Sequence, residues 1–285
     1  MTRRDVLKAA MGAGALAATG IAPVRAEDAK KRFRIGACDW SLGKSCSVDA
    51  FTVAKEIGLD GVQVSPGASA AGVKLKSAEN QQKFKDAAKA SGVDVASLAL
   101  GELNSVPFKK DPKTIEWVSD SIDIAQAFGV KTILLAFFGN DDLRGDKEGV
   151  DETVKRLKDL APKAEKAGIS LGIESWLSGE EQMAIIERVG SPAVKVYYDV
   201  CNSTDRGYDI YKEIRTLGAK NICEVHCKEN GKLLGKGPVD FKKVRAALDD
   251  AGYSGWLQIE GATEKGKTLV ECYKLNLAFL REIFN

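Results

Sequence analysis

Glu174, Asp199, His226 and Glu260 belong to the residue types that bind divalent cations, and each interrupts an apolar run: LGIESW, VKVYYDV, NICEVHC and WLQIEG. A carboxylate within a buried strand is costly unless it is paired or coordinates a cation. Singly, a strand histidine is an ordinary core residue and a glutamate at a strand end is an ordinary solvated one. Together they stand at intervals of 25, 27 and 34 residues, each followed by a turn and a helix-like stretch, which implies one site built from four strand ends. Two glutamates, an aspartate and a histidine, without thiolate, suit Mn²⁺, Mg²⁺ or Co²⁺ and can hold Zn²⁺. An ion so held chelates two oxygens of a hydroxy-ketone and stabilises the enediolate formed when a neighbouring C–H loses its proton. One carboxylate must remove that proton and another return it. Glu174 and Glu260 are the candidates, with Asp199 and His226 as anchoring ligands.

Bringing four strand ends together requires a repeated unit, and the chain has one. Helix-like segments ending at Gly58, Gly92, Gly129, Gly168 and Gly252 are each followed at once by a β-rich run. Glycine closes a helix in the left-handed conformation, and a β-branched run after it reads as a buried parallel strand. The predicted strands span 33–40, 59–64, 93–100, 130–138, 169–175, 195–200, 221–227 and 253–260, with helices between them such as 112–128, 150–167 and 268–283. Alternating strands and helices need crossover connections and hence a parallel sheet. Eight units in about 250 residues fit a closed barrel. A doubly wound open sheet is the competitor, but no GxGxxG follows the first strand. The expectation is a single-domain α/β fold, a (β/α)8 TIM barrel, with function at the C-terminal strand ends. Strand alternation puts Glu224 and Lys228 on the inner face with His226, Tyr197 and Cys201 with Asp199, and Gln258 with Glu260, while Cys223 and Cys227 face the helices. Glu224 is then either a partner beneath the site or half of a structural ion pair.

Residues 1–26 read as a targeting segment. Thr2-Arg3-Arg4-Asp5-Val6-Leu7-Lys8 has the twin-arginine export pattern, an Ala/Gly-rich stretch runs to Ile21, and Val24-Arg25-Ala26 ends in a small residue. The alternative is a retained anchor, but the stretch falls short of the roughly 20 apolar residues a spanning helix needs. Residues 27–32 then link the signal to a barrel over 33–285, and the expected location is periplasmic or secreted, free of the membrane after cleavage. The chain carries +2, and Arg3, Arg4, Lys8 and Arg25 against Asp5 belong to the signal, so the exported part is about −1. That leaves no electrostatic case for nucleic acid or a membrane surface as partner. All six cysteines follow the signal; Cys38 and Cys46 either pair across a loop or remain small buried thiols. A homo-oligomer is compatible with such a barrel, and no interface is legible.

With these residues in place, the chain resembles the xylose isomerase-like barrel superfamily, in particular its sugar phosphate isomerase/epimerase branch. The most specific marks are Ile173-Glu174-Ser175, Tyr198-Asp199-Val200, Val225-His226-Cys227-Lys228 and Gln258-Ile259-Glu260-Gly261. Gly235-Lys236-Gly237-Pro238-Val239-Asp240-Phe241 resembles the family's G-x-G-x-[VI]-[DN]-[FW] segment. The resemblance implies one divalent metal ion (Mn, Mg, Co or Zn) held by Glu174, Asp199, His226 and Glu260, with the two glutamates as acid/base pair. It implies isomerisation or epimerisation of a small carbohydrate. Glu180, six residues after Glu174, matches a substrate-orienting glutamate of the family, or is an ordinary helix N-terminal charge. Asn202 stands where many relatives have a histidine, and Lys232 where an arginine is common, which keeps the charge and loses the bidentate fork. Trp40 and Trp176, near strand ends, either stack on a sugar or pack. Related barrel endonucleases hold three zinc ions with several histidines; the single histidine here speaks against DNA repair. Export favours a free keto-sugar or oxidised glycoside over a sugar phosphate. A lyase or dehydratase expelling a β-leaving group after the same deprotonation, and a non-catalytic carbohydrate binder, are the alternatives.

Overall fold

The computed structural model describes residues 32–285; the export segment, its cleavage point and most of the linker lie outside the described residues. The eight strands are β1 (Phe33–Cys38), β2 (Gly61–Val64), β3 (Asp94–Leu100), β4 (Thr132–Phe137), β5 (Ser170–Ser175), β6 (Val194–Asp199), β7 (Ile222–Lys228) and β8 (Gly255–Glu260). Each pairs in parallel with its neighbours in sequence, and β8 closes on β1 from Phe33↔Gly255 to Ala37↔Ile259. The outer helices are α1 (Asp49–Ile57), α2 (Ala78–Ser91), α3 (Lys113–Phe128), α4 (Lys147–Ala167), α5 (Gly179–Val189), α6 (Ile210–Asn221), α7 (Phe241–Asp250) and α8 (Leu269–Phe284). This is the (β/α)8 barrel expected from the strand–helix cadence. A hairpin of Ala68–Ser69 and Gly72–Val73 and a short helix, Val200–Asp205, were not legible.

Local chemistry explains these elements. Along α4, Val154, Leu157, Leu160, Ala161 and Ala164 recur at three- and four-residue steps and are buried; Gly168, at φ 66°, ends the helix. Ser178 and Glu181 form a capping box at α5, and Thr268 and Glu271 form another at α8. β6 ends where it does because Asp199 Oδ1 accepts the backbone N–H groups of Cys201 and Asn202, both at 2.8 Å, turning the chain into the short helix. Cys201 therefore does not share an inner strand face with Asp199 as expected.

The apolar core lies mainly between strands and helices. Inside the barrel is a second, smaller layer of Ala99, Leu134, Ala136 and Tyr197, against which Trp40, Phe138 and Cys223 pack. The remaining interior is polar, with Gln63, Ser97, Glu224, His226 and Gln258 all fully buried. Cys223 corrects the alternation argument. The β6–β7 register runs Val196↔Ile222 and then Tyr197↔Glu224, so Cys223 is an extra, unpaired residue that turns inward beside Tyr197. Cys227 does face the helices, in the outer core. The suggested Cys38–Cys46 pair is not formed: all six cysteines are free, and Cys38 points into the barrel toward Gln63 and His226.

Candidate active site and metal centre

One side-chain atom from each of Glu174, Asp199, His226 and Glu260 lies within 4.8 Å of those of the other three. They stand on β5, β6, β7 and β8, the first three buried and Glu260 nearly so. His226 Nδ1 faces the carboxylates, 2.7 Å from Glu174 Oε1, 3.6 Å from Glu260 Oε2 and 3.9 Å from Asp199 Oδ2. The other imidazole edge is fixed by the first half of the chain. Gln63 Nε2 donates to Ser97 Oγ at 3.0 Å and to Tyr197 Oη at 2.9 Å, which assigns Gln63 Oε1 as the acceptor of the His226 Nε2–H at 3.0 Å. Cys38 Sγ lies 3.3 Å from both Gln63 Oε1 and His226 Nε2. An imidazole tied at Nε2 offers Nδ1 as its ligand atom.

Charge defines the centre further. Lys228 Nζ is 3.0 Å from Glu260 Oε2 and 3.8 Å from Asp199 Oδ2. Trp40 Nε1 donates to Glu260 Oε1 at 3.1 Å, and its ring meets His226 edge-on with centroids 6.1 Å apart. Burial works against ionised Glu260, but His226 and Lys228 outweigh it and hold its pKa below the usual range. Burial likewise disfavours the Lys228 ammonium, yet Asp199, Glu260 and Glu174 keep its pKa above normal. For His226, burial alone would lower the pKa; Cys38, Glu174 and Glu260 more than offset that and raise it well above its ordinary value. Burial pushes Asp199 up to about 7, opposed by Lys228 and reinforced by Glu174 and Glu260.

These features fit a divalent cation. Three carboxylates face Lys228 and His226, leaving negative charge in excess even with the imidazole protonated, and buried Asp199 Oδ2 has no hydrogen bond. The donor set of carboxylate oxygens and one imidazole nitrogen is what such ions accept. Beneath it, Glu224 Oε1 accepts from Gln258 Nε2 at 2.7 Å, and burial, against the Gln258 and Ser97 hydrogen bonds, pushes its pKa up to about 7. Among the described residues Glu224 has no basic ion-pair partner, so it belongs to the layer under the site.

The candidate substrate contacts separate. Trp40 is drawn into the centre by Glu260. Trp176, half-buried, meets Phe138 edge-on at 5.1 Å. Asn202 is half-buried and reaches the centre through its backbone N–H, bonded to Asp199 Oδ1. Glu180 is exposed in the first turn of α5, and Lys232 is exposed in the turn after β7, where its backbone N–H bonds to Glu229 O at 3.2 Å. No side-chain hydrogen bond or ion pair ties Glu180, Asn202 or Lys232 to the four-residue cluster among the described residues. The glycine-rich segment has a packing reason. A Cβ on Gly237 would lie 1.4 Å from Glu229 Oε2, and one on Gly235 2.5 Å from the Phe279 ring. Glu229 is wholly buried there, one residue beyond Lys228, and Asp240 caps α7 by accepting from Lys242 N and Lys243 N.

Cys38, Gln63 and Ser97 were missed from the sequence. The available signal was Gln63, a polar residue set between Val62 and Val64 in a buried strand.

Residues 51–283 match the family described as xylose isomerase-like TIM barrel. The 2-epi-5-epi-valiolone 7-phosphate 2-epimerase of Actinoplanes sp. is 27% identical over 225 residues, 75% of this chain and 82% of the relative. A probable endonuclease 4 of Thermotoga sp. is 29% identical over 222 residues, 70% of this chain and 75% of that protein. The D-psicose 3-epimerase structure from Clostridium cellulolyticum H10 superposes with a TM-score of 0.75 at 17% identity, covering 88% of this chain and 99% of that one. The chain belongs to the xylose isomerase-like TIM barrel family.

Proposed function

We propose that the chain is a divalent-metal-dependent isomerase or epimerase of a non-phosphorylated keto-sugar, working through an enediolate. The observation that carries this reading is the convergence of Glu174, Asp199, His226 and Glu260, with one buried aspartate oxygen left without a hydrogen bond. The relationship to a curated sugar epimerase supports it. The relationship to an endonuclease favours it less, because the chain has a single histidine and no electrostatic footprint for nucleic acid.

When bound, a divalent ion would polarise the carbonyl oxygen of the substrate and offset charge developing on the enediolate. Glu174, Asp199, Glu260 and His226 Nδ1 would hold it. The chain's own residues do the rest. Glu260, kept ionised by Lys228 and Trp40, takes the proton from the carbon beside the carbonyl. Glu174, on β5 at the other edge of the cluster, returns a proton from the opposite side for an epimerase. His226 is locked by Gln63, so the centre is positioned before substrate arrives. Phe138 and Trp40 pack on the inner apolar layer of Ala99, Leu134, Ala136 and Tyr197.

The export pattern of residues 1–26 supports a periplasmic or secreted enzyme and hence a substrate without phosphate. Purified protein incubated in D₂O with free keto-sugars and oxidised glycosides should place deuterium at one carbon of a product of unchanged heavy-atom composition. Loss of water or an alcohol would assign a lyase instead. Ligand binding without deuterium entry would assign a carbohydrate binder.

A further inference from the structure

Trp176 stands just past the end of β5, two residues beyond Glu174, and its surroundings serve no purpose in the acid–base chemistry. Two guanidinium groups lie over its indole: Arg144 Cζ is 4.7 Å and Arg206 Cζ 5.5 Å from the ring centroid. Arg144 comes from the loop after β4 and Arg206 from the end of the short helix that Asp199 caps. Tyr208 Oη, from the same loop as Arg206, donates to the Trp176 carbonyl at 3.1 Å and ties that loop to the β5 end. Phe138 joins Trp176 to the inner layer of the barrel. The group therefore forms part of the rim of the mouth that leads to Glu174.

The two arginines differ. Arg144 gives Nε and Nη2 to the Asp142 carboxylate at 2.7–3.1 Å, so its charge is neutralised. Arg206 is exposed, and among the described residues its guanidinium has neither a hydrogen bond nor an ion pair, only the ring contact, its backbone N–H bonding to Asn202 O at 3.2 Å. A guanidinium offers five donors in a planar fork suited to an oxyanion, and stacking on an aromatic face holds that fork in place. One guanidinium without an ion pair, next to an Arg144 already neutralised by Asp142, matches a monoanion better than a phosphate, which carries about −1.5 to −2.

We propose that the rim formed by Trp176, Arg206 and Arg144 is a subsite for a carboxylate on the substrate, so that the sugar handled at the centre is an acidic one, with Arg206 as the binding group. This rests on the isomerase/epimerase reading for its placement beside the reacting carbon. The carboxylate accepts two N–H bonds from Arg206 while the sugar ring lies toward Trp176 and Phe138.

The test compares D-fructose with D-fructuronate, which differ by a hydroxymethyl group against a carboxylate, and with D-fructose 6-phosphate. Metal-loaded protein is titrated with each by calorimetry and tryptophan fluorescence, and deuterium exchange is followed in parallel. The expected result is at least tenfold tighter binding of the uronate than of fructose, with the phosphate weaker than the uronate. Arg206→Gln should bring the uronate-to-fructose ratio to within about twofold of unity, and Arg206→Lys should leave an intermediate ratio. Equal affinity for acid and neutral sugar, binding of neither, or a ratio unchanged in Arg206→Gln would overturn the proposal; a preference for the phosphate over the uronate would overturn its carboxylate assignment. Preferential uronate binding without any exchange would leave the subsite standing and count against the epimerase reading alone.

Discussion

The two halves of the barrel are built alike and used differently. β5 to β8 each carry, at or within two residues of their C-terminal ends, a residue that faces the centre, Glu174, Asp199, His226 and Glu260. β1 to β4 contribute no member of that cluster. Cys38, Gln63 and Ser97, with Trp40 just beyond β1, instead hold members of the cluster in orientation: Gln63 fixes His226, and Trp40 fixes Glu260. The difference teaches that the second half sets what chemistry is available, while the first half sets how well aligned it is. Replacements in the two halves should therefore fail in different ways.

The largest effect belongs to the second half. Glu174→Gln and Glu260→Gln should each lower kcat for deuterium exchange by about 10³-fold, because each removes one of the two proposed acid–base partners. Full activity in either would remove that residue from its role and weaken the contrast. Next, in the first half, Gln63→Leu leaves every ligand in place but frees the imidazole. Metal affinity, read by competition with a chelator, should fall by about 10- to 100-fold. A loss as complete as that in Asp199→Asn would show that the halves do not divide the work. Trp40→Phe removes one hydrogen bond to a charged group, and kcat should drop by about tenfold.

The smallest effect is in stability. Asp199 and Glu224 have folded-state pKa values of about 7, raised by burial, against about 4 in the unfolded chain. Each contributes stability that is fully present below the unfolded value and lost as pH rises through about 7. The Tm of metal-free protein should fall by about 5 °C between roughly pH 5 and pH 8, and Glu224→Gln should flatten that slope. A metal-free Tm that rises over the same interval would contradict the buried, uncompensated carboxylates of the second half.

Much of this was legible because it depends on periodicity. The glycine-closed helices and apolar runs read directly as strand–helix units, and four polar residues in such runs marked the centre. What escaped depends on closure of the barrel. Gln63 meets His226 across 163 residues, and glutamine is not a residue type that announces a site. Cys223 turned inward through a register shift that no alternation argument contains. Trp40 reads as a candidate stacking residue until its Nε1 is placed on Glu260. Arg144 and Arg206 flank Trp176 only because separate loops fold over the mouth.

Glu174, Asp199, His226 and Glu260 are proposed to hold one divalent ion. Metal-free protein loaded with Mn²⁺, Co²⁺ or Zn²⁺, desalted, and measured by elemental analysis alongside Asp199→Asn tests it most directly. The parent should retain about one ion per chain, with proton release on binding as His226 Nδ1 becomes a ligand, and the variant should show a clear loss. No retained ion in the parent, or equal retention in both proteins, would contradict it.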